Sequence, residues 1–90
     1  MAIEFDPKKN KANLNKHGMS LSDGDGVLED PLAVTLEDAS SQGEQRWTTL
    51  GMNVFGALCV AIHTQRGNNI RIISVRKATT KERRDYEKGI

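Results

Sequence analysis

From residue 32 to residue 77 the apolar positions recur every second residue in four successive runs, joined by short polar connections. Parallel strands need a crossover of a dozen or more residues, so connections this short leave an antiparallel meander. In the first run Leu32, Val34 and Leu36 alternate with Ala33, Thr35 and Glu37. The polar loop Asp38 to Gly43 separates it from a second run, Glu44 to Met52. There Arg46, Thr48, Leu50 and Met52 alternate with Gln45, Trp47, Thr49 and Gly51. Asn53 to Gly56 reads as a turn, Ala57 to Thr64 as the third strand, and Arg66-Gly67-Asn68-Asn69 as the turn into the fourth.

The fourth run, Ile70 to Lys77, is apolar on both sides, as expected of an interior strand. Strict alternation puts Ile70, Ile72, Ser74 and Arg76 on one face and Arg71, Ile73, Val75 and Lys77 on the other. Thr79 with Glu82 three residues later is a capping box and Gly89 is a stop, which predicts a helix over 80–88.

Upstream of the meander, Ile3 to Phe5 suits a short edge strand, and Asp6-Pro7 opens a helix with its cap and first-turn proline in place. This helix runs to about His17 and stops at Gly18. Its apolar positions are few, chiefly Ala12 and Leu14, so its hydrophobic stripe is narrow. Ser20 and Asp23 open a second helix with inner positions Leu21, Gly24, Val27 and Leu28, ending before Pro31. Gly24 and Gly26 each cost about 1 kcal/mol against alanine in a helix interior, so this helix is expected to be frayed or held by packing. The fold class is α+β: helices packed on a four-stranded antiparallel sheet, then a C-terminal helix, in one domain spanning residues 1–90.

The net charge is only +1, but the charges are segregated. Lys8, Lys9, Lys11, Lys16 and His17 crowd the first segment and Arg66 to Arg84 the last, while Asp23, Asp25, Glu29, Asp30, Glu37 and Asp38 fill the middle. A polarised surface with an anion-binding side follows. The single cysteine, Cys59, sits in an apolar run and reads as a core residue. With no disulfide framework, signal peptide or membrane span in view, a reducing cytoplasm is the expected location.

Four segments in order, FDPKKNKANLNKHGMS, EDPLAVTLED, RWTTLGM and IRIISVRKATTKERRDYEKG, resemble the BrnT family of bacterial toxins across essentially the whole chain. The stretch LSDGDGVLED departs from the more helix-favouring sequence that family members usually place there. The resemblance implies a RelE-like fold and a metal-independent ribonuclease that inhibits translation by cutting RNA. It also implies a BrnA-type antitoxin that neutralises the toxin and is the complex's only contact with operator DNA.

Metal-free RNA cleavage needs a base for the 2′-hydroxyl proton, cations for the dianionic transition state and an acid for the leaving 5′-oxygen. Arginine suits the second role because its planar fork grips phosphate in bidentate fashion. Arg76, at the end of the fourth strand, is the first choice for the clamp, supported by Arg66 and Arg46. Its alternative is an ion pair with Glu44, Glu82 or Asp85. Proton transfer could fall to His63, His17, Glu44, Tyr86 or one of several lysines, while Lys16, His17, Arg71 and Lys77 offer contacts to RNA. For each, a bland role competes: His63 satisfied at a strand end, His17 closing a helix, Tyr86 packing on the sheet, and Arg71 structural or facing a partner.

No Cys-x-x-Cys pair, phosphate-binding glycine loop or nucleophile motif occurs, so neither metal nor cofactor is expected. The alternative class is a catalytically silent binding module acting in a transcription-regulating complex. A stand-alone nucleic-acid binder fits poorly with near-neutral charge and few aromatics.

Overall fold

The computed structural model describes residues 2–38 and 43–89. The centre of the expected loop Asp38 to Gly43 lies outside those residues. Among the described residues five strands and three helices follow one another as β1 (Ile3–Glu4), α1 (Pro7–His17), α2 (Asp23–Glu29), β2 (Val34–Glu37), β3 (Arg46–Met52), β4 (Leu58–Arg66), β5 (Asn69–Lys77) and α3 (Thr80–Lys88).

The meander forms as expected, with β2, β3, β4 and β5 adjacent and antiparallel. The sheet is nevertheless five-stranded and mixed, not four-stranded and antiparallel as the RelE-like expectation had it. β1 adds to the outer edge of β5 in parallel, pairing Ile3 with Ile70 and Glu4 with Arg71. Two residues of strand carry too little periodicity to announce a partner in sequence, and the parallel return is supplied by the chain between β1 and β5.

Apolar side chains are buried on both faces. The larger core joins Leu21 and Val27 to Cys59, Ala61, Ile72 and Val75 of the sheet. Leu21, Val27, Ile72 and Val75 are fully buried, each worth about 1.5–3 kcal/mol of burial. On the other face Leu50, Leu58 and Val60 form a smaller core covered by Met52, Ala78 and Tyr86. Cys59 is a core residue as expected, and burial pushes its thiol pKa up.

α1 is capped by the Asp6 side chain, which accepts from Lys8 N–H, and closed by Gly18 in the left-handed region. Its docking is polar. The expected apolar pair lies outside it, Ala12 being exposed and Leu14 half exposed, while Asn13 is buried. The Asn13 amide donates to the carbonyls of Met19 and Val75, and its oxygen accepts from Val75 N–H and Ser74 Oγ. A side-chain amide thus stands in for a neighbouring strand at Val75, where β1 has ended.

The glycines of α2 are explained by proximity. A Cβ on Gly24 would press on Ile72 and Val75 at 3.2–3.3 Å, and one on Gly26 would sit 2.9 Å from the Val54 backbone nitrogen. The helix is held by this close approach to the sheet and to the β3–β4 turn. α3 carries the expected capping box and ends at left-handed Gly89, yet it contains no buried residue.

Candidate active site

A β-bulge decides which cations meet. Between Ile62/His63 and their partners the register of β4 and β5 slips: Ile62 faces Ser74 while His63 faces Ile72, leaving Ile73 as the extra residue. Arg71 therefore pairs with Thr64 and Arg76 with Val60, positions four apart on β4 and so on one face. The strict alternation that would set Arg71 opposite Arg76 is broken by this one residue. Arg46 also pairs with Thr64, and Arg66 lies two residues beyond it. All four arginines, Arg46, Arg66, Arg71 and Arg76, share the sheet face that carries the smaller core.

Arg46 and Arg71 flank Thr64 on the two neighbouring strands, with backbones about 10 Å apart. Arg66 reaches Glu44, Nε to Oε2 at 2.8 Å, at a half-exposed position. Arg71 Nε donates to Glu4 Oε1 at 3.3 Å. Glu4 went unnoticed in the sequence because its role follows from the parallel pairing of β1. Arg46 differs from these: its Nε is buried and makes no hydrogen bond, the sole such side-chain atom among the described residues.

Arg76 stands about 13 Å away along the same face, four positions of β4 from the Thr64 row. Its fork is filled by Glu82, each terminal nitrogen donating to one carboxylate oxygen at 2.8 Å. This hydrogen-bonded pair pushes the Arg76 pKa up and holds Glu82 at about 2. Arg76 thus takes the ion-paired alternative weighed for it, with Glu82 as partner, and ties α3 to the sheet.

The proposed proton carriers are dispersed. Glu44 lies in the Arg66 end of the row. His63 pairs with Trp47 and Ile72, on the opposite face from the arginines. Its Nε2 shares a 2.7 Å hydrogen bond with Thr49 Oγ1, which in turn bonds Thr35 Oγ1, and the ring stacks on Trp47. Burial lowers its pKa, favouring neutral imidazole. Tyr86 donates its hydroxyl to Asp30 Oδ2 at 2.6 Å, an oxygen that also accepts from Met52 N–H. The hydrogen bond to Asp30 pushes the Tyr86 pKa up, and Asp30, mainly through Met52 N–H, is held low.

Lys16 and His17 lie on α1, in a cleft between that helix and β5. Lys77 is exposed and pairs with Cys59, on the larger-core side. The structure thus brings together Arg46, Arg66, Arg71 and Glu44, and leaves His63, Tyr86, Arg76 and the α1 cations elsewhere.

A small α+β protein with arginines ranged along one sheet face has a known counterpart in architecture. The crystal structure of the Brucella abortus ribonuclease toxin BrnT matches with a TM-score of 0.69, covering 89% of this chain and 99% of that one at 23% identity. The chain itself belongs to the family of BrnT ribonuclease toxins of type II toxin-antitoxin systems, whose model matches residues 5–82. No curated protein matches it. Its class is that of a ribonuclease toxin with an antitoxin partner. Among the described residues no helix is long and apolar enough to cross a membrane.

Proposed function

We propose that the chain cuts RNA without a metal ion, by acid–base and electrostatic catalysis, and so inhibits translation until a BrnA-type antitoxin neutralises it in the cytoplasm. Operator DNA is reached only through that antitoxin. The observation that supports this reading best is the Arg46–Thr64–Arg71 row with the Arg66–Glu44 pair beside it. A phosphodiester laid on the row meets cations from three strands, and the buried Arg46 Nε lacks only an acceptor. In this scheme the 2′-oxygen attacks phosphorus and Glu44 takes its proton. The arginines hold the charge that builds on the non-bridging oxygens. The bond to the 5′-oxygen breaks, that oxygen takes a proton from water, and the products are a 2′,3′-cyclic phosphate and a 5′-hydroxyl.

The clamp is thereby assigned to Arg46 and Arg71, and Arg76 to holding α3. A second reading, the silent binding module, is favoured by one observation: Arg66, Arg71 and Arg76 are each already paired with a carboxylate. Cleavage of a defined RNA in EDTA separates the two. Wild type should yield cyclic-phosphate ends, Arg46→Ala should lose about 100-fold or more in rate, and Arg76→Ala should still cut. A folded wild-type chain that leaves RNA intact, with or without ribosomes, would establish the binding module instead.

A further inference from the structure

α1 carries Lys8, Lys9, Lys11, Lys16 and His17 and contains no Asp or Glu. Lys8 and Lys9 occupy the first turn, where the helix dipole favours acids and disfavours cations. None of these residues belongs to an ion pair among the described residues, in contrast to three of the four sheet-face arginines. Stability does not account for such a helix, since acids in its first turn would serve it better.

Two of the lysines frame a cleft. Lys9 and Lys16 are two helical turns apart, about 10 Å along the axis, on the rim of a cavity of about 210 Å³ whose wall on the sheet side is Ile73 and Ser74. His17 stands at one end, and among the described residues no carboxylate lines it. Asn13 forms the floor but is saturated by its four bonds to the protein, so the donors left for a ligand are the two ammonium groups and the imidazole. Ile73 is the bulged residue, lying between Arg71 and Arg76 on the same strand. The cleft and the arginine row are therefore joined across β5, with Ser74 about 10 Å from Arg71 along the strand.

We propose that this cleft is a second RNA-backbone site, separate from the chemistry, which holds phosphates of the strand as it passes over the β5 edge to the arginine row. The assignment rests on the ribonuclease reading for the identity of its ligand. Its chemistry is that of a phosphodiester chain: point cations spaced along a groove, an apolar wall for the sugar, and no acceptor or carboxylate directed at the anion.

The test uses a 2′-O-methyl RNA oligonucleotide, which lacks the attacking hydroxyl, titrated by fluorescence anisotropy over a range of salt. Lys9→Gln with Lys16→Gln should weaken binding by roughly tenfold or more at low salt and make the slope of log affinity against log salt shallower by about 1.4, two phosphates' worth for a single strand. Lys8→Gln with Lys11→Gln, the same loss of charge on the same helix but off the cleft, should change the slope far less. Equal effects from the two pairs, or no effect from the cleft pair, would overturn the site. So would a cleft pair that lowers antitoxin affinity and leaves RNA affinity alone. If unmodified RNA is never cut while cleft-dependent binding persists, the ribonuclease reading fails and the cleft stands.

Discussion

Asn13 carries more of this fold than any single apolar residue of α1. Its amide satisfies Val75 N–H and the carbonyls of Val75 and Met19 at a place where water is excluded. Asn13→Ala leaves those groups without partners and should cost about 3 kcal/mol in urea unfolding. Gly26 makes the complementary point. Alanine there ought to gain about 1 kcal/mol by helix propensity, but its Cβ would meet the Val54 backbone at 2.9 Å. Gly26→Ala should therefore lower the melting temperature rather than raise it. Neither role could be read from hydrophobic periodicity: the docking stripe of α1 is asparagine, and a missing methyl leaves no apolar signal. What could be read were the caps, because Asp6, Thr79, Glu82 and Gly89 act within a few residues of themselves.

Among the elements, α3 is held by its ends rather than by its face. It buries no residue fully, and its ties are the Arg76–Glu82 pair, the capping box and the Tyr86–Asp30 hydrogen bond. Glu82 titrates at about 2 in the folded chain against an ordinary 4.5. A carboxylate held low contributes stability that is complete above its unfolded value and is lost as pH falls through the folded one. About 2 kcal/mol should disappear between roughly pH 5 and pH 2. Urea midpoints measured across that range should fall for wild type and be much flatter for Glu82→Gln. The elements themselves were visible in sequence because each has its own period. Their mutual placement was less so: β1 was legible as a short edge strand but not its parallel pairing with β5, and the bulge at Ile73 breaks the parity on which any assignment of β5 side chains to faces depends.

On the scale of the whole molecule, charge and apolar surface are set out for two kinds of encounter. Cations occupy α1 and one end of the sheet. The far edge strand, β2, is paired among the described residues only with β3 and shows Leu36 62% exposed, with Leu32 70% exposed just before it. An unpaired apolar edge invites another chain. Bound antitoxin should slow amide hydrogen exchange in β2 by tenfold or more relative to the free toxin. Exchange unchanged in β2 while slowed elsewhere would place the antitoxin on another surface. The segregation of acids and bases along the chain announced this polarity. It did not reveal that the sheet-face arginines come largely neutralised by glutamates, since Glu4, Glu44 and Glu82 lie 67, 22 and 6 residues from their partners.

The extra residue in β5 means that counting matters here as much as chemistry. Straightening the strand with Ile73 in place would send Arg71 and Arg76 to opposite sides of the sheet, whereas removing Ile73 would close the register, keep both arginines on one side and take one residue from the wall of the α1 cleft, every charged residue in the protein being unaltered in either case. A relative that keeps all these cations at the same spacing but lacks the bulge would present a different surface. Gaps placed here when two such toxins are aligned therefore decide which of their arginines are counterparts.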